Sequence, residues 1–297
     1  MEVTVKIEQL AEGLGWPEGP AVLPDGRVVF VESYRSQISV WAPDEGVKRY
    51  AYTAGAPNSS VLGAEGELYV CQNGGTVGPW RAAEMVSPSI QRIDREGGRA
   101  EIICTEIEGI KLNGPNDLVF GADGRLYFTD PGTYNPSSPD PSYIFALDKD
   151  GTGHVVIAFP IPVFPNGLAV EDDGSIVWDE SYTGHVRRLR RGKTDIEDLG
   201  QLPGAKPILD GMKIGADGRL YVTDIAGPGI HIVRPDGTVD EFIKCGNAAT
   251  NCAFSAEVLY MTDAGVPADS ADPSFGGALW RIAIGAPGQP LHPGRIA

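Results

Sequence analysis

Long hydrophobic runs are missing: no stretch of the 297 residues reaches the roughly 18 consecutive apolar positions that a membrane span needs. The opening MEVTVKIEQL alternates charged and aliphatic residues where a signal peptide carries an apolar core, so a soluble, cytoplasmic protein is expected. Cationic charge is also scarce. With 24 Lys and Arg against 40 Asp and Glu, the formal charge of −16 excludes a basic footprint for nucleic acid and opposes polyanionic ligands. The four cysteines, Cys71, Cys104, Cys245 and Cys252, have no C-x-x-C spacing and are too few to staple a chain of this size, so inert, reduced thiols are expected. Helical stripes are nearly absent, and only PWRAAEMV (79–86) reads as briefly helical. No G-x-S-x-G, H-E-x-x-H or glycine-rich phosphate motif is present.

Glycine, by contrast, is abundant at 39 residues, and much of it recurs in one phrase: LPDGRVVFVE (23–32), GAEGELYVCQ (63–72), GADGRLYFTD (121–130), EDDGSIVWDE (171–180) and GADGRLYVTD (215–224). Each reads as a tight turn followed by a strand, because Asp-Gly tolerates the positive φ that primed hairpin turns need. A sixth copy, FSAEVLYMTD (254–263), lacks the glycine. A strand precedes every turn (WPEGPAVL, APNSSVLG, NGPNDLVF, FPNGLAVE, ILDGMKIG, ATNCAFSA), and a third and usually a fourth follow it. Four antiparallel strands repeated six times predict an all-β, six-bladed β-propeller. One domain is expected over residues 1–297, with blades near 15–55, 56–110, 111–163, 164–207, 208–248 and 249–297, the N-terminal residues 1–14 completing the last blade.

In register, the repeats expose a site. Eight residues before each turn glycine stand Glu18, Asn58, Asn116, Asn166 and Asp210, with Asn251 at the matching position of the sixth repeat. The first strand of each blade lines the axis, so these six should form a ring. Such residues are poor strand formers, and carboxylates near a dry axis are costly unless paired or bound to a cation. Two carboxylates with several amide oxygens suit one hard divalent ion: Ca²⁺ first, with Mg²⁺ and Mn²⁺ balanced by the same charge and Zn²⁺ or Fe²⁺ accommodated with fewer donors. The scattered histidines (154, 185, 231 and 292) argue against a histidine site, although His185 follows the mouth loop of blade 4.

The loops leaving each second strand share the face of this ring. Three are long: 71–88, 131–143 and 264–277 carry Trp80, Tyr134, Tyr143 and Phe275, which are expected to wall an apolar pocket, while the short mouths of blades 1 and 4 carry Tyr34 and Tyr182. The Asp-Gly turns lie on the opposite, functionally quiet face.

The phrases WPEGP, NGPNDL, FPNGLAV, LDGMK and NCAF, in that order over nearly the whole chain, resemble the gluconolactonase/SMP-30 family. The resemblance implies a divalent metal on Glu18, Asn166 and Asp210, with Asn116 in the same shell, and hydrolysis of a small-molecule lactone to its hydroxy acid. Asp210 is the expected base for the attacking water, and Asn116 orients the substrate or donates to the oxyanion, with Asn58, Trp80 and Tyr134 as further substrate contacts. One departure is evident. Animal members acting on sugar lactones carry Arg two positions before the Asn116 equivalent, where this chain has Gly114, which leaves a less polar cyclic ester open beside the aldonolactones. The rivals are a same-scaffold hydrolase of another electrophile, such as an organophosphate triester, and a non-catalytic binding propeller stabilised by its ion.

Overall fold

The computed structural model describes residues 5–265 and 275–297. It contains six radial sheets of antiparallel strands, and among the described residues the only helix is the single turn Ser33–Arg35. No helix there is long and apolar enough to cross a membrane.

Each blade starts at the axis. The inner strands are Pro17–Val22, Pro57–Leu62, Leu118–Phe120, Pro165–Val170, Leu209–Ile214 and Ala249–Ser255. The second strands, such as Val28–Glu32, Leu126–Asp130 and Leu220–Asp224, are buried at every position. That burial explains their near-continuous apolar sequence: both faces pack against neighbouring blades, so no alternation with polar residues is needed. Val29, Val31, Leu68 and Val70, for example, share one cluster across blades 1 and 2.

The ring closes without a covalent joint. Ile7–Leu14 pairs antiparallel with Gly277–Ala283, Ile7 opposite Ile282 and Leu14 opposite Gly277, so an N-terminal strand is the outer strand of the sixth blade. Blade 2 also lends a short parallel strand, Gly98–Arg99, to the outer edge of blade 1.

Three local expectations change. The Asp-Gly turns are three-residue loops and not two-residue primed turns: Gly26 N–H donates to Leu23 O at 2.9 Å and Leu23 N–H to Arg27 O at 2.8 Å, with Gly26 at φ 86°. This is a type I turn ending in a left-handed residue, and Asp25 fits it because its carboxylate accepts Arg27 N–H at 3.1 Å. In the glycine-free sixth copy Ala256 takes the left-handed conformation, at φ 49°. The stretch 79–86 is not helical; Trp80–Arg81 folds back on Thr76–Val77 as a small hairpin. Beyond Ala283 the chain leaves blade 6 and crosses the turn face as a strap. Gln289 N–H donates to Ile214 O (2.8 Å), Ala64 N–H to Gly294 O (2.9 Å) and Ala297 N–H to Lys149 O (2.8 Å), tying blades 5, 2 and 3 together. Ile296 ends the strap inside the apolar cluster of Tyr69, Phe120 and Leu126. Ile296→Ala should therefore cost about 2–5 kcal/mol in urea unfolding; a change near zero would mean that the strap is not anchored there.

Candidate active site

Cross-blade hydrogen bonds around the whole circle pin the inner strands where they reach the axis. Ser33 Oγ donates to Pro57 O (2.7 Å), Asn58 Nδ2 to Asn116 O (3.3 Å), Thr129 Oγ1 to Asn166 O (2.9 Å), Ser181 Oγ to Leu209 O (2.6 Å), Thr223 Oγ1 to Thr250 O (2.8 Å) and Thr250 Oγ1 to Pro17 O (2.8 Å). Most of the acids and the amide that end the second strands secure the approach to each inner strand. Glu32, Gln72, Asp130, Asp224 and Asp263 accept the N–H groups of Gly15, Ala56, Gly114, Ile208 and Ala248 respectively. These carboxylates have a structural use, as caps on otherwise unpaired backbone donors.

Five of the six ring residues (Glu18, Asn58, Asn116, Asn166 and Asp210) line one cavity of about 140 Å³ on the mouth side of the axis. Asn251 turns away, its Oδ1 accepting Cys252 N–H at 2.8 Å and the Lys213 ammonium at 3.2 Å. Glycine after the ring residue lets neighbouring blades come this close: a Cβ on Gly167 would lie 2.3 Å from Asp210 O, and one on Gly211 2.1 Å from Asn251 Cγ.

Three side chains meet at the centre. Glu18, Asn166 and Asp210 are 2%, 5% and 4% exposed, and the Asp210 carboxyl interacts with both Glu18 and Asn166. Burial, then the charge of Asp210, holds the Glu18 carboxyl well above its usual range. Burial likewise pushes Asp210 up to about 8, opposed by the Glu18 hydrogen bond and aided by the charge of Asp117. Both carboxyls are therefore held toward their protonated forms until something cationic replaces the protons. The orientation of Asn166 is fixed by Ser181, whose hydroxyl proton is committed to Leu209 O and which can only accept from Asn166 Nδ2, at 3.1 Å. Asn166 Oδ1 is left buried with no hydrogen-bond partner.

This donor set fits a divalent cation, for which an orphaned amide oxygen beside two carboxylates is the right chemistry. Among the described residues no three His, Cys, Asp or Glu side chains converge, so a cation here would rest on a mixed carboxylate and amide set. Asn116 and Asn58 stand in the same cavity, half-buried, and Asn116 makes no side-chain hydrogen bond to another described residue.

Two buried carboxylates near this centre were not singled out from the sequence. Asp117 accepts Ser59 Oγ (2.6 Å) and Leu118 N–H (2.9 Å) and lies 3.6 Å from the Lys213 ammonium, which makes it a tie between blades. Asp179 accepts Gly167 N–H at 3.2 Å, leaves Oδ2 without a partner and is held well above its usual range by burial and then by Asp210. Its signal lay in the repeats: it replaces the Thr that ends other second strands as T-D, as in Thr129, Thr223 and Thr262.

The walls combine apolar side chains with the amide and hydroxyls of Asn73, Thr76, Thr133 and Ser181. Trp16, Tyr34, Val77, Pro79, Tyr134, Phe164, Ile208 and Ile225 line the cavity. Trp16, Phe164 and Ile208 were also missed, although all three stand two residues before a ring position. Trp16 and Phe164 hold φ at 54°, a left-handed conformation that costs a bulky residue about 1–2 kcal/mol and tends to mark functional sites. Trp80 is not a lining residue; its ring backs Tyr34 at 5.2 Å. Tyr143 stacks on Phe145 at 5.1 Å, outside the cavity, and Phe275 meets Tyr34 edge-on at 6.5 Å. Of the third mouth loop, residues 266–274 lie outside the described residues. His185 bonds Asp198 at 2.9 Å away from the pocket, and Cys71 is buried with its thiol pushed well up by burial, as an inert cysteine should be.

A family model described as SMP-30/Gluconolactonase/LRE-like region matches residues 16–265. The gluconolactonase of Zymomonas mobilis subsp. mobilis is 28% identical over 289 residues, covering 86% of this chain and 77% of that protein. Among solved structures, a gluconolactonase from Xanthomonas campestris superposes with a TM-score of 0.75 at 21% identity, covering 97% of this chain and 90% of the other. A calcium-binding regucalcin from Agrobacterium tumefaciens superposes with a TM-score of 0.72 at 16% identity, covering 95% and 92%.

Proposed function

Because the chain belongs to the SMP-30/gluconolactonase/LRE-like family, we propose that it hydrolyses a small-molecule lactone at a divalent ion held by Glu18, Asn166 and Asp210. The observation that carries this reading is the partnerless Asn166 Oδ1 beside the buried Glu18 and Asp210 carboxyls, both raised above their usual range. Ca²⁺ is the proposed ion, consistent with hard oxygen donors and with the regucalcin relative described as calcium-binding. When bound, the ion supplies Lewis acidity toward an ester carbonyl and the oxyanion formed from it.

The chain's own groups do the rest. Asp210, ionised, accepts the proton of a water as its oxygen bonds to the carbonyl carbon; the ring C–O bond then breaks and Asp210 returns the proton to the leaving alkoxide. Glu18 stays a fixed anionic donor, because its second oxygen is already engaged by Gly19 N–H at 3.1 Å. Asn116 and Asn58 line the same cavity, and their proposed roles are donation to the developing oxyanion and orientation of the lactone ring.

The test is acid release at constant pH over five- and six-membered lactones, with chelator or added Ca²⁺, Mn²⁺, Mg²⁺ or Zn²⁺ and with spontaneous hydrolysis subtracted. Ring opening that disappears with chelator and returns with ion is the expected result. Turnover unaffected by chelator would remove the ion from the mechanism. No lactone opened with any ion, while an organophosphate triester is cleaved, would move the same site to another electrophile.

A further inference from the structure

Blades 1 and 4 stand three apart in a ring of six, on opposite sides of the axis, and they are built alike. Each presents an aromatic residue before Pro (Trp16-Pro17, Phe164-Pro165) and leaves its second strand through the same tripeptide, Glu32-Ser33-Tyr34 and Glu180-Ser181-Tyr182. The hydrogen bonds repeat as well: Ser33 N–H donates to Trp16 O (3.1 Å) and Ser181 N–H to Phe164 O (3.0 Å). Tyrosine supports each ring, Tyr34 at 5.6 Å from Trp16 and Tyr182 at 5.2 Å from Phe164, with Tyr134 5.1 Å from Phe164 as a third ring on that side. Among the described residues these two are the only aromatic ones with positive φ, and both line the cavity.

From this pairing we infer that Trp16 and Phe164 are the two jaws of an aromatic clamp that selects lactones bearing an apolar substituent over polyhydroxylated ones. The inference rests on the lactonase reading and deepens it. Backbone strain at two opposite points, each locked by the same hydrogen bond and propped by tyrosine, holds two aromatic rings at one cavity; rigid aromatic faces recognise flat or alkyl groups and gain little from a ring of sugar hydroxyls. The rest of the lining agrees. It contains no Lys, Arg or His among the described residues, and Gly114 leaves no room for one: a Cβ there would lie 2.8 Å from Gly132 O. Its polar groups are neutral amides and hydroxyls, with the Glu18 and Asp210 carboxyls at the centre, so discrimination at the two aromatic jaws comes from apolar contact, worth about 10- to 200-fold per well-placed group.

The experiment compares kcat/KM for two lactones with the same six-membered ring, δ-nonalactone and glucono-δ-lactone, in the ion-loaded wild-type protein, Trp16→Ala, Phe164→Gly and the double variant. Glycine at 164 accepts φ of 54°, so this variant keeps the backbone. The wild type should prefer the alkyl lactone by about 10-fold or more, and the double variant should lose at least about 10-fold of that preference, read as the ratio of the two kcat/KM values. Parallel loss on both lactones, or a wild-type preference for the sugar lactone, overturns the clamp while leaving lactone hydrolysis standing. Calorimetric binding of 6-phenylpiperidin-2-one, a lactam that is not opened, separates the two claims. Binding that Phe164→Gly weakens, with no lactone hydrolysed, keeps the clamp and removes the lactonase reading. No binding and no turnover overturns both.

Discussion

Asp210→Asn is expected to lower kcat/KM for the preferred lactone by about 10²- to 10⁴-fold, the range that a lost general base commands, and at the same time to raise the melting temperature of the ion-free protein by a few degrees. The two effects have one cause. Asp210 is 4% exposed, and burial pushes its carboxyl up to about 8, against about 3.9 in an unfolded chain. A carboxyl whose folded pKa is raised contributes stability that is fully present below the unfolded pKa and is lost as pH rises through the folded one. At pH 7 the fold therefore bears the cost of a proton it must keep or a charge it must bury. Asparagine keeps the shape and the hydrogen bond to its neighbours while removing that cost, so the function-bearing group is the destabilising one. Steady-state kinetics and thermal unfolding of the same preparation check both halves. A loss of activity under about 10-fold would remove Asp210 from the role of base, and a large fall in melting temperature would make it a structural tie.

Divalent-ion affinity should climb at least about tenfold per pH unit between pH 5 and 7, because binding expels protons held by the raised Glu18 and Asp210 carboxyls. Both carboxyls are raised, so the ion-free protein should lose stability as pH rises from 5 toward 9, and the ion-loaded protein should not. The separation between chelated and loaded melting temperatures should be small at pH 5 and reach about 5–8 °C near pH 8, when the ion is about a thousandfold above its dissociation constant. Calorimetric titration with Ca²⁺ and with Mn²⁺ at three pH values measures the first effect, and thermal scans with and without chelator the second. The comparison with Asp210→Asn isolates the pair from the general repulsion of a chain with net charge −16, since only the pair's contribution should vanish in that variant. An affinity independent of pH would mean that the pair is already ionised and that another charge, with Lys213 the nearest candidate through Asp117, neutralises it.

The fold and the ring of inner-strand residues were legible because repetition makes a short phrase informative. One Asn before a strand is commonplace, but Glu18, Asn58, Asn116, Asn166 and Asp210 at the same offset from five turns define a single axial level. The pairing of residues 7–14 with 277–283 was likewise implied by a repeat that lacked its outer strand. Turn geometry was less legible, since Asp-Gly serves both primed two-residue turns and the three-residue loops found, and only the Leu23–Arg27 hydrogen bonds distinguish them.

The sequence by itself therefore determined a six-bladed ring and which six residues stand at its axial level, because turn chemistry and strand period are local properties. Tertiary structure decided which of those six act together. Asn251 is drawn aside by Lys213 and its own strand, whereas Asn166 is turned inward by a Ser181 hydroxyl whose proton belongs to Leu209 in the next blade. It also decided that Trp80 stands behind Tyr34 and that Trp16 and Phe164 form the walls, through left-handed backbone held by bonds to a strand 17 residues further along in each case. Side-chain direction at a propeller axis depends on hydrogen bonds that cross between blades, and those connect positions that no local pattern relates.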